Sequence, residues 1–181
     1  MAEQWKPISQ IPGYESLTNY EININGDLRN IGKGHGIRTG AILKWSINNG
    51  GYYYTKLRVD GKQKNIMKHC LIAMLYIPNP QNLPFVDHKN GLRLDNSIDN
   101  LRWVTRSQNN QNSVGCGRTG HKCIFDTDGD YPYWYVQVML NGEKVAYKSF
   151  KKLDGEITPP DEVIKYRDEM LLLHNGEFAR I

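Results

Sequence analysis

FVDHKNGLRLDNSIDNLRWVTRSQNNQN, residues 85–112, is the stretch that decides the organisation of this chain. Two short apolar runs, the first ending in an Asp-His pair and the second containing a tryptophan, flank a loop rich in Asn, Asp and Gly. Such a loop between strand-like runs predicts a β-hairpin. Thr105 or Ser107 could then cap a short helix beginning near Gln108. The segment therefore predicts two antiparallel strands followed by a helix.

The polar residues of this segment suggest a hydrolytic site. A hairpin that folds back onto a helix can bring Asp87, His88, Asn100 and Asn109 together. A carboxylate and an amide oxygen are hard ligands that suit Mg²⁺ or Mn²⁺. A neighbouring histidine titrates near neutral pH and can deprotonate water, while a metal ion stabilises the charge on the phosphorane and the departing 3′ oxygen. The alternative is that these residues are only turn formers.

Composition sets the broad class of the protein. The chain has 181 residues, 39% of them hydrophobic, enough for one ordinary core or two small ones. Its formal charge of +4 and pI near 8.9 only weakly favour a polyanionic partner. The charge is uneven: +5 for residues 1–85, +2 for 86–119 and −3 for 120–181, counting Lys and Arg against Asp and Glu. The first two thirds should supply most phosphate contacts.

The cysteine count and the apolar runs indicate a cytoplasmic setting. Three cysteines without a CxxC pair indicate neither a disulfide framework nor a four-ligand zinc site. The first ten residues contain no apolar core of a secretory signal, and the longest uncharged apolar run, CLIAMLYI, is far shorter than the roughly 20 residues of a spanning helix. We therefore expect a reducing, intracellular environment and no membrane insertion.

The segment before the motif predicts a small antiparallel sheet and one helix. Asn25-Gly26 and Asp60-Gly61 are hairpin-turn signals between strand-like runs. Helical spacing then runs from about Lys64 to Ile77 and includes His69, for which we favour a core or capping role. Basic residues among tyrosines in the sheet are candidate DNA contacts, although these tyrosines could equally be half-buried packing. The basic candidates are Lys56, Arg58, Lys62 and Lys64.

After residue 112 the composition changes. Residues 113–119 are rich in Gly and Ser and predict a linker. Residues 120–181 then predict three antiparallel strands followed by one amphipathic helix.

The central segment resembles the ββα-metal motif of HNH endonucleases, most closely the branch of phage and intron homing enzymes. By position, the resemblance implies that His88 is the general base and Asp87 a metal ligand. It also implies that Asn100 holds the loop and orients the histidine. Asn109 takes the third position, where this branch uses asparagine as second metal ligand instead of histidine. This departure from the family name favours Mg²⁺, with Mn²⁺ possible, over zinc or nickel.

The resemblance extends to both flanks. WKPI, GYE and YEININGDLR resemble the N-terminal motif that precedes such nuclease modules, and KHCLIAMLYIPNP resembles the helix that leads into them. The C-terminal order of strands and helix resembles an ethylene-response-factor type of DNA-binding domain, in which the sheet enters the major groove. That resemblance implies DNA contacts by Lys122, Trp134, Gln137 and Lys144.

The C-terminal segment departs from that family in one respect. Its first turn contains Asp126, Asp128 and Asp130, where the family is usually basic. Trp134 could also pack against the helix rather than read DNA. The sheet could therefore be a weak DNA binder, a protein-contact surface or a spacer.

Together these features predict an α+β fold with a central ββα-metal nuclease module. The expected regions are 1–63, β-rich and DNA-contacting; 64–112, the nuclease module; 113–119, the linker; and 120–181, three strands and a helix. We expect a metal-dependent endonuclease that cuts double-stranded DNA in the host cell of a phage or mobile element, with Arg102 and Arg106 among its DNA contacts. A monomer should nick, whereas a homodimer or two successive events would cut both strands. A non-catalytic DNA-binding regulator is the alternative, and a role on structured RNA ranks third.

Overall fold

The computed structural model describes residues 4–32, 38–112, 119–127 and 129–179. The chain divides into two compact units, Met1–Thr105 and Arg106–Ile181. The predicted linker, 113–119, lies outside the described residues except for Thr119, and so does Asp128 of the acidic turn. Within the described ranges, no helix has both the length and the apolar character needed to cross a membrane.

In the first unit, residues 4–32 and 38–105 form three antiparallel sheets and one α-helix. Strands β1 (Trp5–Pro7), β2 (Tyr20–Asn23), β3 (Leu28–Asn30) and β4 (Ile42–Leu43) form one sheet in that order. Strands β5 (Ser46–Ile47), β6 (Tyr53–Val59) and β7 (Lys62–Met67) form the second, and helix α1 (Lys68–Tyr76) follows directly. The hairpin of β8 (Phe85–His88) and β9 (Leu101–Val104) is the third sheet.

One apolar core joins these elements. It contains Ile22 and Leu28 from the first sheet, Ile66 from the second, Leu71 from α1 and Leu101 from β9, each at most 2% exposed. Burying such a side chain contributes roughly 1.5–3 kcal/mol. The core therefore fixes the hairpin that carries the Asp-His pair against α1.

The predicted helix start was wrong by four residues. Residues 62–67 form β7, which pairs with β6 from Val59 opposite Lys62 to Tyr54 opposite Met67. Asp60 and Gly61 both adopt positive φ, 49° and 76°, as a two-residue hairpin turn requires. This turn commits the following residues to strand pairing, so helix α1 begins only at Lys68. Its end at Tyr76, before Pro78, agrees with the prediction.

The turn at Gly26 packs directly on α1. Gly26 has a φ of +79°, and a Cβ atom added there would lie 2.1 Å from Cε of Lys68 and 2.8 Å from Cδ1 of Ile72. The carbonyl oxygen of Gly26 also accepts a hydrogen bond of 2.9 Å from Nε1 of Trp45. Both the conformation and the close approach therefore require glycine at this position.

In the second unit, the described residues after 119 contain the three strands and one α-helix predicted there. Helix α2 (Arg106–Gln111) comes first, followed by β10 (Ile124–Asp126), β11 (Tyr133–Leu140), β12 (Glu143–Lys151) and helix α3 (Asp161–Asn175). The strands form an antiparallel sheet in the order β10-β11-β12. Alternate residues of β11, Trp134, Val136 and Val138, are buried in the core with Val163 and Leu171 of α3. The described part of the chain thus has the expected α+β composition of antiparallel sheets and few helices.

Candidate active site

The β8-β9 hairpin places Asp87 and His88 at the end of a buried strand. Asp87 pairs with Arg102 and His88 with Leu101 across the antiparallel register. Asp87 is 7% exposed and His88 5%. Two neighbouring ionisable side chains that are both buried need specific partners, because water no longer solvates them. Their surroundings therefore show what each can do.

Asn100 closes the loop that connects the two strands. Its Oδ1 accepts a hydrogen bond of 3.0 Å from the backbone N–H of Asn90, and its Nδ2 donates one of 2.7 Å to the carbonyl oxygen of Asp95. Its own carbonyl oxygen accepts a bond of 2.8 Å from the N–H of Lys89. Asn100 thus ties both halves of the loop to the start of β9. The role in orienting the histidine and holding the loop, which the resemblance implies for Asn100, stays a prediction.

Asn96 contacts His88 and was missed by the sequence analysis. Its Oδ1 lies 3.3 Å from Nε2 of His88, and its Nδ2 donates a bond of 3.0 Å to the carbonyl oxygen of Leu94. Because Nδ2 is used on Leu94, Oδ1 is the atom that faces the ring, and Nε2 then carries the proton of the neutral imidazole. Nδ1 is the unprotonated ring nitrogen in that tautomer. Only its position within the Asn-rich loop marked Asn96 in the sequence.

A cluster of rings surrounds His88. The centroid of the His69 ring lies 5.1 Å from that of His88, edge to face, and the Tyr52 ring is 5.2 Å from His69 and 5.9 Å from His88. His69 is 8% exposed, and among the described residues its Nδ1 has no hydrogen-bond partner. The expected core role of His69 is therefore correct, but the helix spacing gave no sign that this core position borders His88.

Burial keeps both histidines neutral. It lowers the pKa of His69 to about 4, with a smaller lowering from His88. Burial also lowers the pKa of His88, although the hydrogen bond to Asn96 and the negative charges of Asp87 and Asp95 partly oppose this. A histidine whose pKa is below its usual value is unprotonated at neutral pH. His88 is thus in the form that a general base needs.

Arg102 holds the carboxylate of Asp87. Its Nε donates a hydrogen bond of 3.0 Å to Oδ2 of Asp87, and its Nη2 lies 2.9 Å from the same oxygen. The two side chains are 13% and 8% exposed. The pair fixes the orientation of the carboxylate and supplies a buried positive charge beside it. The guanidinium of Arg102 therefore faces Asp87, and its predicted contact with DNA stays a prediction.

Asn109 lies on helix α2, as predicted, in the second compact unit. The helix begins at Arg106, two residues before the expected start, and the Asn109 side chain is half-buried. Its role as a metal ligand stays a prediction. In the described residues no group of three or more His, Cys, Asp or Glu side chains could hold a metal ion. The predicted pair of one carboxylate and one amide would not form such a group.

The basic residues of the first unit do not share one face. Lys56 and Arg58 alternate along β6 with the buried Leu57 and Val59, so they project to the outer face of the hairpin. In β7, Lys64 stands opposite Leu57 and Lys62 opposite Val59. Directly paired residues share a face, so these two lysines project from the opposite face to Lys56 and Arg58. All four are exposed. A single flat DNA contact would therefore involve one pair more than the other.

The candidate contacts of the second unit differ in accessibility. Lys122 donates through Nζ to the carbonyl oxygens of Asn110 and Gln111, which end helix α2. Trp134 is 1% exposed, and its Nε1 donates a hydrogen bond of 3.1 Å to Glu156. Its ring therefore packs in the core, as the alternative to DNA contact predicted. The remaining candidates are Gln137 and Lys144 on the outer side of the sheet and the exposed Arg106 at the start of α2.

Comparison with known proteins identifies the central segment. Residues 67–111 match the family model described as HNH endonuclease. This segment is therefore similar to HNH endonucleases. The match covers helix α1, the β8-β9 hairpin and α2, and so includes Asp87, His88, Asn100 and Asn109.

Two viral proteins are similar to this chain. It is 31% identical over 135 residues to "Uncharacterized HNH endonuclease L245" of Acanthamoeba polyphaga mimivirus, covering 72% of this chain and 37% of that protein. It is 33% identical over 114 residues to "DNA endonuclease I-HmuI" of Bacillus phage SP01, covering 63% of this chain and 59% of that protein. The chain thus spans less than two thirds of either relative.

A solved structure, "DNA binding and cleavage by the HNH homing endonuclease I-HmuI", aligns with a TM-score of 0.47 and 34% identity over 60% of this chain and 56% of the other. The expected N-terminal motif and the ethylene-response-factor resemblance of this chain stay predictions.

Proposed function

We propose that this protein is a metal-dependent DNA endonuclease in which His88 is the general base. The observation that carries the proposal is the buried Asp87–His88 pair at the end of β8, with Asn96 on Nε2 of the histidine. The name of the phage relative, a DNA endonuclease, supports DNA as substrate. We further propose a homing-type enzyme that acts as a monomer or homodimer inside the host cell of a phage or mobile element.

The donor atoms fit a hard divalent cation. Asp87 offers a carboxylate and Asn109 an amide oxygen, the ligand types that Mg²⁺ and Mn²⁺ prefer. A bound Mg²⁺ would supply stabilisation of the negative charge that develops on the phosphate and on the departing oxygen. Arg102 keeps the Asp87 carboxylate in one orientation, and its charge opposes a cation at the same oxygen. We therefore infer that the protein alone would bind the ion weakly, and that the phosphate of the substrate would strengthen its binding.

His88 performs the proton transfer. Its Nδ1 removes a proton from a water molecule, whose oxygen forms a bond to phosphorus as the bond from phosphorus to the 3′ oxygen breaks. The departing 3′ oxygen takes a proton from solvent water, so the products carry a 5′ phosphate and a 3′ hydroxyl. Asn96 accepts from Nε2 and so keeps Nδ1 as the basic atom. Asn100 keeps the loop, and with it Asn96, in place.

Conversion of supercoiled plasmid to open circle tests the proposal. The plasmid carries DNA that flanks the gene, and each reaction is run with Mg²⁺, with Mn²⁺ and with EDTA. We expect cleavage with either ion and none with EDTA. His88→Ala should abolish cleavage with DNA binding near that of the unchanged protein, whereas His174→Ala, in helix α3, should cut normally.

Three results would contradict the proposal. Cleavage by His88→Ala at the normal rate would exclude His88 as the base. Binding that is insensitive to EDTA, with no cutting of a plasmid containing the bound site, would instead support the non-catalytic regulator. Cleavage of structured RNA alone would support the third alternative.

A further inference from the structure

The outer face of the second unit's sheet carries a continuous row of aromatic side chains. We call Phe125 of β10, Tyr133 and Tyr135 of β11 and Tyr147 of β12 the aromatic row. Phe125 stacks on Tyr135 with ring centroids 5.0 Å apart and an interplanar angle of 19°. Tyr135 is also 5.9 Å from Tyr133 and 5.9 Å from Tyr147. The four rings therefore form one patch across all three strands.

The core of this unit does not include the row. Strand alternation sends Trp134 and Val136 to the buried side and Tyr133 and Tyr135 to the other. Phe125, Tyr133 and Tyr147 are 42%, 37% and 49% exposed. Contiguous exposed aromatic surface on a soluble domain marks a binding site more often than chance exposure does.

The charge of this face differs from that of its unit. Residues 120–181 contain eight basic and eleven acidic residues, a net charge of −3. Among the described residues, however, strand register places only lysines as charged side chains on the outer face. Lys151 stands opposite Tyr133, and Nζ of Lys144 lies 4.7 Å from the centroid of the Tyr147 ring. Asp126 faces the other side, where it pairs with Lys152 at 3.0 Å. An acidic unit thus presents a face that complements a polyanion.

A cavity adjoins the Phe125 end of the row. It has a volume of about 490 Å³ and lies within the second unit. Besides Phe125, its lining includes the amides of Asn110, Gln137 and Asn141 and the guanidinium of Arg106. Amides and guanidinium groups hydrogen-bond the edges of bases. The row and the cavity therefore combine flat rings with groups able to bond to the edge of a base.

We propose that the aromatic row binds the unpaired bases of single-stranded nucleic acid. Aromatic rings stack on the faces of unpaired bases, and lysines at the margin contact the phosphates. Duplex DNA hides its base faces within its own stack, so these rings could not stack on it. Two lysines also supply little of the phosphate neutralisation on which duplex binding depends. The row is therefore a site separate from the catalytic hairpin, for a strand that has been opened or is single-stranded from the start.

Binding of a fluorescein-labelled single-stranded 15-mer tests the proposal, with the same sequence as a duplex for comparison. The full chain carries His88→Ala so that no DNA is cut, and fluorescence anisotropy gives the affinity. We expect tighter binding of the single strand at the row, and Tyr147→Ser should weaken it about tenfold, since stacking contributes about 1–3 kcal/mol per base. Tyr147→Phe keeps the ring and should bind normally. Tyr131→Ser removes a tyrosine that is 90% exposed but outside the row, and should also bind normally.

A second readout distinguishes stacking from a loss of folding. A single strand that contains 2-aminopurine should lose fluorescence when it binds the unchanged row, and Tyr147→Ser should reduce this quenching. The Tyr147→Ser protein should melt at the same temperature as the Tyr147→Phe protein. Equal affinity of Tyr147→Ser and Tyr131→Ser for the single strand would overturn the proposal, as would a preference for the duplex that needs Tyr147. Self-association that Tyr147→Ser abolishes, without nucleic-acid binding, would assign the row to a protein contact instead. None of these results depends on plasmid cleavage.

Discussion

Replacing His69 by glutamine should remove an acid-sensitive part of the stability of the first unit. His69 is 8% exposed on α1, its Nδ1 has no hydrogen-bond partner among the described residues, and burial lowers its pKa to about 4. The ordinary value is 6.5. Because the folded pKa is the lower one, the unfolded chain takes up the proton first as the pH falls. The unfolding free energy therefore decreases from about pH 6.5 down to about pH 4.

The size of the effect follows from the two pKa values. Between pH 7 and pH 4.5, protonation of His69 in the unfolded chain lowers the unfolding free energy by about 2 kcal/mol. His88 acts in the same direction, since burial also lowers its pKa, but it is present in both proteins and cancels in the comparison. The unchanged protein should thus lose about 2 kcal/mol more than His69→Gln on acidification to pH 4.5.

Urea unfolding followed by hydrogen exchange of peptides from β6 to α1 measures this difference in the first unit alone. The matched control is His174→Gln, a half-buried histidine in the last turn of α3 in the second unit. The control should follow the unchanged protein at both pH values. Parallel losses of stability in the unchanged protein and His69→Gln would refute the reasoning, because they would show that His69 is not buried as a neutral base.

Three further predictions concern the β8-β9 hairpin. Asn96→Ala should slow single-turnover cleavage at least tenfold with unchanged DNA affinity, because His88 loses the partner that selects its tautomer; an unchanged rate would contradict this. Asn100→Ala should destabilise the loop by about 1–3 kcal/mol, visible as faster hydrogen exchange in residues 89–100 and contradicted by unchanged protection. Arg102→Ala should cost about 3–5 kcal/mol in chemical denaturation, since it leaves the buried carboxylate of Asp87 without its ion-pair partner; a loss below about 1 kcal/mol would show that the carboxylate is solvated instead.

The sequence predicted most strands, turns and helix ends of the first unit well because the signals for them are local. Strand alternation, the turn at Asp60-Gly61 and the proline after Ile77 each act over a few residues, and the structure confirms the elements that they bound. The prediction of where helix α1 begins was wrong for a reason that is not local. The helical apolar spacing begins only at Met67, and residues 62–67 form backbone hydrogen bonds with the neighbouring strand β6 instead.

What the sequence determined by itself is the chemistry of the motif: an Asp-His pair, two asparagines at fixed spacings and an HNH match over residues 67–111. Only the tertiary structure decided which side chains surround His88. Asn96, His69 and Tyr52 come from a loop, a helix and the segment before β6, and they meet because the shared core packs α1 against the hairpin. Spacing along a chain records local hydrogen-bonding patterns, whereas contacts between distant segments, and the pKa changes that follow from burial, depend on how those segments pack.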